Sequence, residues 1–135
     1  MTMKKQEKVL LYRFTDADRL ASVKQVMADL KIEVKELKND DWQEKVGYLL
    51  GLPGFGPNQP ATEEFSFPHE VMVMQDIRDK RLDKVLKALR AAGVPDIAYK
   101  SVVTPVNKFW TLKRLCETMQ REHAWMIAQE KGKKV

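Results

Sequence analysis

The chain reads VLLYRF at residues 9–14 and VMVM at residues 71–74. Both runs are almost entirely apolar and lack the polar–apolar alternation of a half-buried strand. A strand that is apolar on both sides is expected where both faces of a sheet are covered. We therefore predict that these two segments are the central strands of one sheet.

The flanking segments show the periodicities of helices and of shorter strands. Apolar residues at helical spacing predict amphipathic helices over residues 15–30, 79–92 and 107–129. A shorter helix is predicted over residues 41–50, and further strands over residues 32–35 and 97–104. Because residues 32–35 alternate apolar and charged side chains, we expect this strand at an edge of the sheet.

These elements predict a single α+β domain over residues 1–130, in the order β-α-β-α-loop-β-α-β-α. A ferredoxin-like sheet of order 4-1-3-2 places strands 1 and 3 at the centre and is the favoured arrangement. A small parallel α/β sheet of order 2-1-3-4 also places them there and is the alternative. Residues 51–68 are predicted as a long loop rich in proline and glycine, and residues 131–135 as a basic disordered tail.

The apolar central strands favour an oligomer. Helices cover only one face of a plain ferredoxin-like sheet, whereas these strands are apolar towards both faces. We expect the second face to be covered by the short second helix, by the last helix or by another subunit. A homo-oligomer is therefore the predicted state, and a protein partner or a small anionic ligand is also expected.

Composition narrows the function classes. The net charge is +5, but residues 4–8 and 130–134 each carry +2, which disfavours a nucleic-acid footprint. Cys116 is the sole cysteine, so no internal disulfide forms, and a lone thiol fits the cytoplasm. No apolar run approaches the roughly 20 residues of a membrane span. We predict no membrane partner, no metal and no cofactor.

A resemblance to a known group of proteins rests on three segments, at residues 46–52, 82–94 and 98–110. The most specific part is Lys-x-Val-x-Thr-Pro-x-Asn-x-x-Trp at residues 100–110. The chain resembles a family of small bacterial proteins of unknown function, over most of its length. The resemblance implies a bacterial cytoplasmic protein and carries over no activity.

The same segment contains the candidate ligand site: Lys100, Thr104, Asn107 and Trp110. These residues bracket the predicted turn from the last strand into the last helix. A helix N-terminus with a lysine nearby can hold an anion. The alternative is structural, with Thr104 as the helix cap, proline at the first helical position and Trp110 packed in the core.

Other residues that could carry chemistry have simpler explanations. The glycine-rich residues 51–58 leave a helix rather than a strand, which is typical of a helix stop and not of a phosphate-binding loop. Cys116 and His123 lie about 10.5 Å apart along the predicted helix, too far for a direct hydrogen bond. Asp76 follows a central strand, where it suits a cap or a turn.

No catalytic constellation is visible, so the sequence favours a non-enzymatic role. The leading hypothesis is a non-catalytic regulatory or protein-interaction module that oligomerises. The second is a small enzyme or an anionic-metabolite binder that uses the turn at residues 100–110. The third is weak nucleic-acid binding by the basic ends.

Overall fold

The computed structural model describes residues 6–58, 64–94, 97 and 99–133, with side chains described as far as residue 123. The strands are β1 (Lys8–Tyr12), β2 (Glu33–Glu36), β3 (Val71–Gln75) and β4 (Tyr99–Val102). The helices are α1 (Ala17–Asp29), α2 (Val46–Leu49), α3 (Asp79–Ala91) and α4 (Leu112–Lys133). Two short 3₁₀ turns, Asp41–Gln43 and Asn107–Phe109, precede α2 and α4.

The four strands form one mixed sheet of order β2-β1-β3-β4. β1 pairs with β3 antiparallel, and each edge strand is parallel to its central neighbour. The α+β class, the central position of β1 and β3 and the edge position of β2 are thus confirmed.

The order 4-1-3-2 that we favoured is wrong. α1 returns the chain to the position beside β1, and α3 returns it to the position beside β3, so no strand lies between the two strands of either β-α-β unit. The order is that of the alternative, 2-1-3-4. The strand directions are nevertheless those of a ferredoxin-like sheet, since the central pair is antiparallel rather than parallel.

One face of the sheet is covered by α1 and α3. Val9 and Leu11 of β1 and Met72 and Met74 of β3 point to this side and are buried. The apolar stripes of the two helices, predicted from their spacing, pack on these side chains. This layer is the one expected for any sheet built from two β-α-β units.

The opposite face is covered by α2, by the start of α4 and by the segment before β3. Leu10, Tyr12 and Val73 point to this side and pack against residues such as Leu49 and Leu112. The predicted cover of the second face therefore exists within one chain. The homo-oligomer stays a prediction. The sheet face that motivated it is covered within the chain and is not exposed.

The last helix begins later than predicted. The segment Thr104–Pro105 leads first into the second 3₁₀ turn, and α4 starts at Leu112 rather than at residue 107. The predicted tail at 131–135 and the predicted loop at 51–68 stay predictions, because residues 134–135 and 59–63 lie outside the described part. Within the described residues, no helix combines the length and apolarity of a membrane span.

The first part of the predicted loop is packed onto the domain by one aromatic ring. Phe55 lies against Gly47 of α2 so closely that a Cβ atom at Gly47 would sit 2.5 Å from the ring. The ring centroid of Phe55 is also 5.3 Å from that of Phe109. Residues 51–58 are therefore held over α2 and the second 3₁₀ turn.

Two half-buried ion pairs reveal an internal repeat. Arg19, the third residue of α1, binds Glu70 just before β3, with Nη2–Oε1 and Nε–Oε2 distances of 2.7 and 2.9 Å. Arg81, the third residue of α3, binds Glu7 just before β1, with Nε–Oε2 and Nη2–Oε1 distances of 2.7 and 2.9 Å. In each half of the chain, an arginine of the helix thus binds a glutamate at the start of the other half's first strand.

Reciprocal backbone hydrogen bonds extend the symmetry to the second layer. The N–H of Val46 donates to the carbonyl of Trp110, and the N–H of Leu112 donates to the carbonyl of Glu44, each at 2.9 Å. We call β1-α1-β2 with the first 3₁₀ turn and α2 the first repeat. β3-α3-β4 with the second 3₁₀ turn and α4 is the second repeat. An approximate two-fold axis between β1 and β3 relates them.

The 3₁₀ turns of the two repeats are built alike. Asp41 Oδ2 accepts the backbone N–H of Lys38 at 2.8 Å, and Asn107 Oδ1 accepts the backbone N–H of Thr104 at 2.8 Å. Both side chains sit at the first position of their turn. Asn107 is thus the structural counterpart of Asp41, and the residues of the two turns can be compared position by position.

Candidate functional site

The structure separates Lys100 from the other three predicted site residues. Lys100 pairs with Met72, so its side chain lies on the sheet face that α1 and α3 cover. Its Nζ donates to the carbonyl of Ile97. It lines a small cleft of about 140 Å³ beside Leu89 and Arg90 of α3, away from the strand-to-helix turn.

Thr104, Asn107 and Trp110 lie together on the turn, with different contacts. Thr104 Oγ1 accepts the backbone N–H of Asn107 at 2.9 Å, and Asn107 is buried with its Nδ2 bonded to the carbonyl of Val102 at 3.0 Å. Trp110 packs at the border of the core, with the guanidinium of Arg114 4.5 Å from its ring centroid. Of the four, Thr104 lines the cleft described next.

A cleft of about 260 Å³ opens where β3 and β4 end, and we call it the Gln75 cleft. Its polar lining consists of Gln6, Gln75, Asp76, Arg78, Thr104 and Lys108. Its apolar wall consists of Leu52, Val103 and Pro105. The carboxyl ends of adjacent parallel strands are where α/β sheets commonly bind ligands, and β3 and β4 form such a pair here.

Gln75 lines this cleft and carries an unusual polar atom. Its side chain is only 6% exposed, and its Nε2 donates to the carbonyl of Gln6 at 2.8 Å. Its Oε1 is buried and has no hydrogen-bond partner among the described residues. An unpaired buried acceptor costs about 1–3 kcal/mol, so a site that retains one requires an explanation.

Asp76 follows Gln75 in a left-handed conformation, with φ of 57°. Arg13, its counterpart after β1, has φ of 65°, so this conformation belongs to the repeat rather than to the cleft. Asp76 Oδ2 accepts the backbone N–H of Gln6 at 3.0 Å, and its Oδ1 lies 3.7 Å from Nη2 of Arg78. The carboxylate therefore helps to fix the rim of the cleft.

The charges around the cleft favour an anion. Arg78 and Lys108 oppose the single carboxylate of Asp76, and the side chain of Arg78 is 73% exposed. Lys108 also lies over the ring of Phe109, with Nζ 5.2 Å from the centroid. Two cations at the rim of an apolar wall create a positive potential that attracts a small anion.

A larger cleft of about 370 Å³ lies on the other side of Gln6 and Gln75. Three of its four charged residues form ion pairs within the protein: Lys8 Nζ is 3.2 Å from Glu33 Oε2, and Glu7 binds Arg81. The two clefts share Gln75. Because its two lysines face two glutamates, this second cleft attracts an anion less than the Gln75 cleft does.

The nucleophilic and metal-binding side chains lie elsewhere. Cys116 is fully buried beneath the sheet, and burial raises the pKa of its thiol to about 12, so it stays protonated and unreactive at neutral pH. His69 and His123 both pack against the ring of Tyr99. In the described part of the chain, no three histidine, cysteine or acidic side chains converge on a metal position.

Sequence reasoning missed Gln75 because it ends an apolar run and looks like the last residue of a buried strand. The available signal was the repeat itself. Arg-Leu-x-x-Val occurs at residues 19–23 and again at 81–85, with a glutamate twelve and eleven residues upstream. Aligning Glu7 with Glu70 makes Gln75 the counterpart of Tyr12, so a polar residue stands where the first repeat has an aromatic ring.

Comparison with known proteins found a match, which covers most of the second repeat. Residues 70–126 match a family model described as a domain of unknown function (DUF3783), in agreement with the predicted resemblance to an uncharacterised family. No curated protein and no solved structure matches the chain. The matched stretch begins at Glu70, where the second repeat begins, and it contains Gln75, Arg78, Thr104 and Lys108.

Proposed function

We propose that this protein is a non-catalytic regulatory module that binds a small organic anion in the Gln75 cleft. The observation that carries the proposal is the buried Oε1 of Gln75, which has no partner among the described residues. A ligand that brings an N–H or O–H donor to this atom removes the cost of the unpaired acceptor. Binding then stabilises the folded state.

The rim of the cleft supplies the second half of the recognition. Arg78 and Lys108 present cations beside the apolar wall of Leu52, Val103 and Pro105. A carboxylate or phosphate placed between the cations gains charge-assisted hydrogen bonds. The ligand class is therefore an organic anion that also carries a hydrogen-bond donor, of a size that suits about 260 Å³.

Two features support binding and regulation over catalysis. Thr104 Oγ1 and Asp76 Oδ2 both accept backbone N–H groups, which are structural bonds rather than the nucleophile–base pairing of a catalytic site. Leu52 also brings the loop of residues 51–58 to the cleft wall. A bound ligand would therefore contact the segment that packs Phe55 against Phe109. A change in the position of this segment could signal that the cleft is occupied.

A titration of the whole protein with five anions tests the proposal: glycerate, glutamate, citrate, 4-hydroxybenzoate and uridine 5′-monophosphate. The readout is the side-chain amide signal of Gln75 in proton–nitrogen correlation spectra. We expect at least one anion to shift this signal, with an affinity that falls as salt is added. In the double variant Arg78→Ala/Lys108→Ala, we expect that affinity to fall at least about tenfold.

The double variant Lys84→Ala/Lys87→Ala is the matched control. It removes the same charge from two exposed positions of α3, and we expect it to keep the affinity of the unmodified protein. Equal losses in the two double variants would contradict a specific site and would indicate a response to net charge alone. If none of the five anions moved the Gln75 signal, the proposed function would be wrong.

A further inference from the structure

The first repeat fills the position that corresponds to the Gln75 cleft. Tyr12 is the counterpart of Gln75, because both end a central strand, point to the same sheet face and precede a left-handed residue. Tyr12 is 2% exposed, and its O–H donates to the carbonyl of Asn39 at 2.9 Å. Burial, with Cys116 nearby, raises the pKa of Tyr12 to about 12, so the phenol remains a donor at neutral pH.

The neighbouring side chain shows the same contrast. Trp42 and Lys108 are the central residues of the two 3₁₀ turns. Trp42 is buried, and its ring centroid lies 5.5 Å from that of Phe65. Lys108 instead lines the open cleft. The second repeat thus has two polar side chains where the first repeat has two rings of an aromatic cluster.

The residue equivalent to Asn39 also lies at the cleft in the second repeat. Asn39 lies two residues before the first 3₁₀ turn, and Pro105 lies two residues before the second. The carbonyl of Asn39 receives the phenol of Tyr12, whereas Pro105 lines the Gln75 cleft. The cleft therefore resembles a first-repeat core from which the phenol has been removed, with Gln75 Oε1 added as an acceptor.

From this contrast we infer that the ligand of the Gln75 cleft contains a planar ring with an N–H or O–H donor and an attached anionic group. The inference rests on the proposed function and names its ligand class. The ring would lie against the apolar wall where the first repeat holds aromatic side chains. Its donor would meet Gln75 Oε1, and its anion would lie between Arg78 and Lys108.

Three small carboxylates separate the parts of this inference. 4-Hydroxybenzoate has the ring, the donor and the anion; benzoate lacks the donor, and glycerate lacks the ring. With the Gln75 side-chain signal as readout, we expect 4-hydroxybenzoate to bind at least about tenfold more tightly than either of the others. Uridine 5′-monophosphate distinguishes the source of the anion, since tighter binding than 4-hydroxybenzoate would assign a phosphate-bearing ring.

The outcomes separate the ligand class from the proposed function. If glycerate bound as tightly as 4-hydroxybenzoate, the inference that the ligand contains a ring would be wrong, and the proposed function would stand. If benzoate bound as tightly, Gln75 Oε1 would not accept a hydrogen bond from the ligand, and the inference would be overturned. If no probe moved the Gln75 signal, both proposals would fail together.

Refilling the cleft gives an independent test. Gln75→Tyr installs the first-repeat residue in the second repeat, and we expect it to weaken 4-hydroxybenzoate binding at least about tenfold while the protein stays folded. Lys108→Trp installs the other counterpart, so it replaces Gln75→Tyr if that variant fails to fold. The control variant Lys84→Ala, on the exposed side of α3, should bind 4-hydroxybenzoate as tightly as the unmodified protein does. Unchanged binding in a folded, refilled variant would contradict the inference.

Discussion

Replacing Leu10 by alanine and Leu11 by alanine should each lower the free energy of unfolding by about 2–5 kcal/mol. The two residues are neighbours in β1, yet they belong to different cores. Leu10 packs under α2 and α4, and Leu11 packs under α1 and α3. Both are buried within one chain, so each truncation leaves a cavity that the surrounding side chains cannot close.

Urea unfolding followed by tryptophan fluorescence measures both losses. Val106→Ala is the control: it is also a truncation of an aliphatic side chain, but at a position that is 64% exposed, and it should change stability by less than about 0.5 kcal/mol. A small loss for one of the two leucines would show that its side of the sheet is open to water. That result would contradict the three-layer arrangement.

Tyr12→Gln should destabilise the protein by about 3 kcal/mol, because it creates in the first repeat the gap that exists in the second. The substitution removes a buried ring and its hydrogen bond to the carbonyl of Asn39. Trp42 and Phe67 belong to the same buried cluster as Tyr12, and they would lose a packing partner.

Tyr12→Phe provides the reference for this measurement. It removes only the hydroxyl and should cost about 1 kcal/mol, the usual value of one hydrogen bond. The difference between the two variants therefore reports the contribution of the filled volume. Equal free energies of unfolding for the two variants would mean that the ring is not part of a close-packed core, and the contrast between the repeats would disappear.

The centre of the fold was predictable because two apolar runs leave little choice of position. Residues 9–14 and 71–74 must be shielded on both faces, whichever topology surrounds them. The order of the edge strands was not predictable, since a helix such as α1 can return the chain to the adjacent strand or to the next but one. Connection length and apolar pattern are the same in both cases.

The start of α4 illustrates a second limit. Thr104-Pro105 has the local chemistry of a helix start, but Asn107 accepts the N–H of Thr104 and closes a 3₁₀ turn first. The reason lies in the other repeat, where Glu44 accepts the N–H of Leu112. A contact between segments so distant in the chain has no local signal.

The candidate site was predicted in part. Thr104 lies at the cleft and Asn107 beside it, whereas Lys100 occupies the opposite face because it pairs with Met72, whose side chain packs under α1 and α3. Placing Lys100 required the register of β4, which the sequence alone did not supply. Gln75 stands out only in the structure, through its buried and unpaired Oε1, because a glutamine at the end of an apolar strand gives no signal by itself.

The free energy of unfolding of Gln75→Leu, measured without ligand, tests most directly whether Gln75 is kept for a ligand. Leucine removes an unpaired buried acceptor, and water can satisfy the carbonyl of Gln6, an exposed residue, when it loses its donor. We predict that stability stays unchanged or rises by about 1 kcal/mol. A loss of about 2 kcal/mol or more would mean that Oε1 has a partner in the folded protein, and the account would be contradicted.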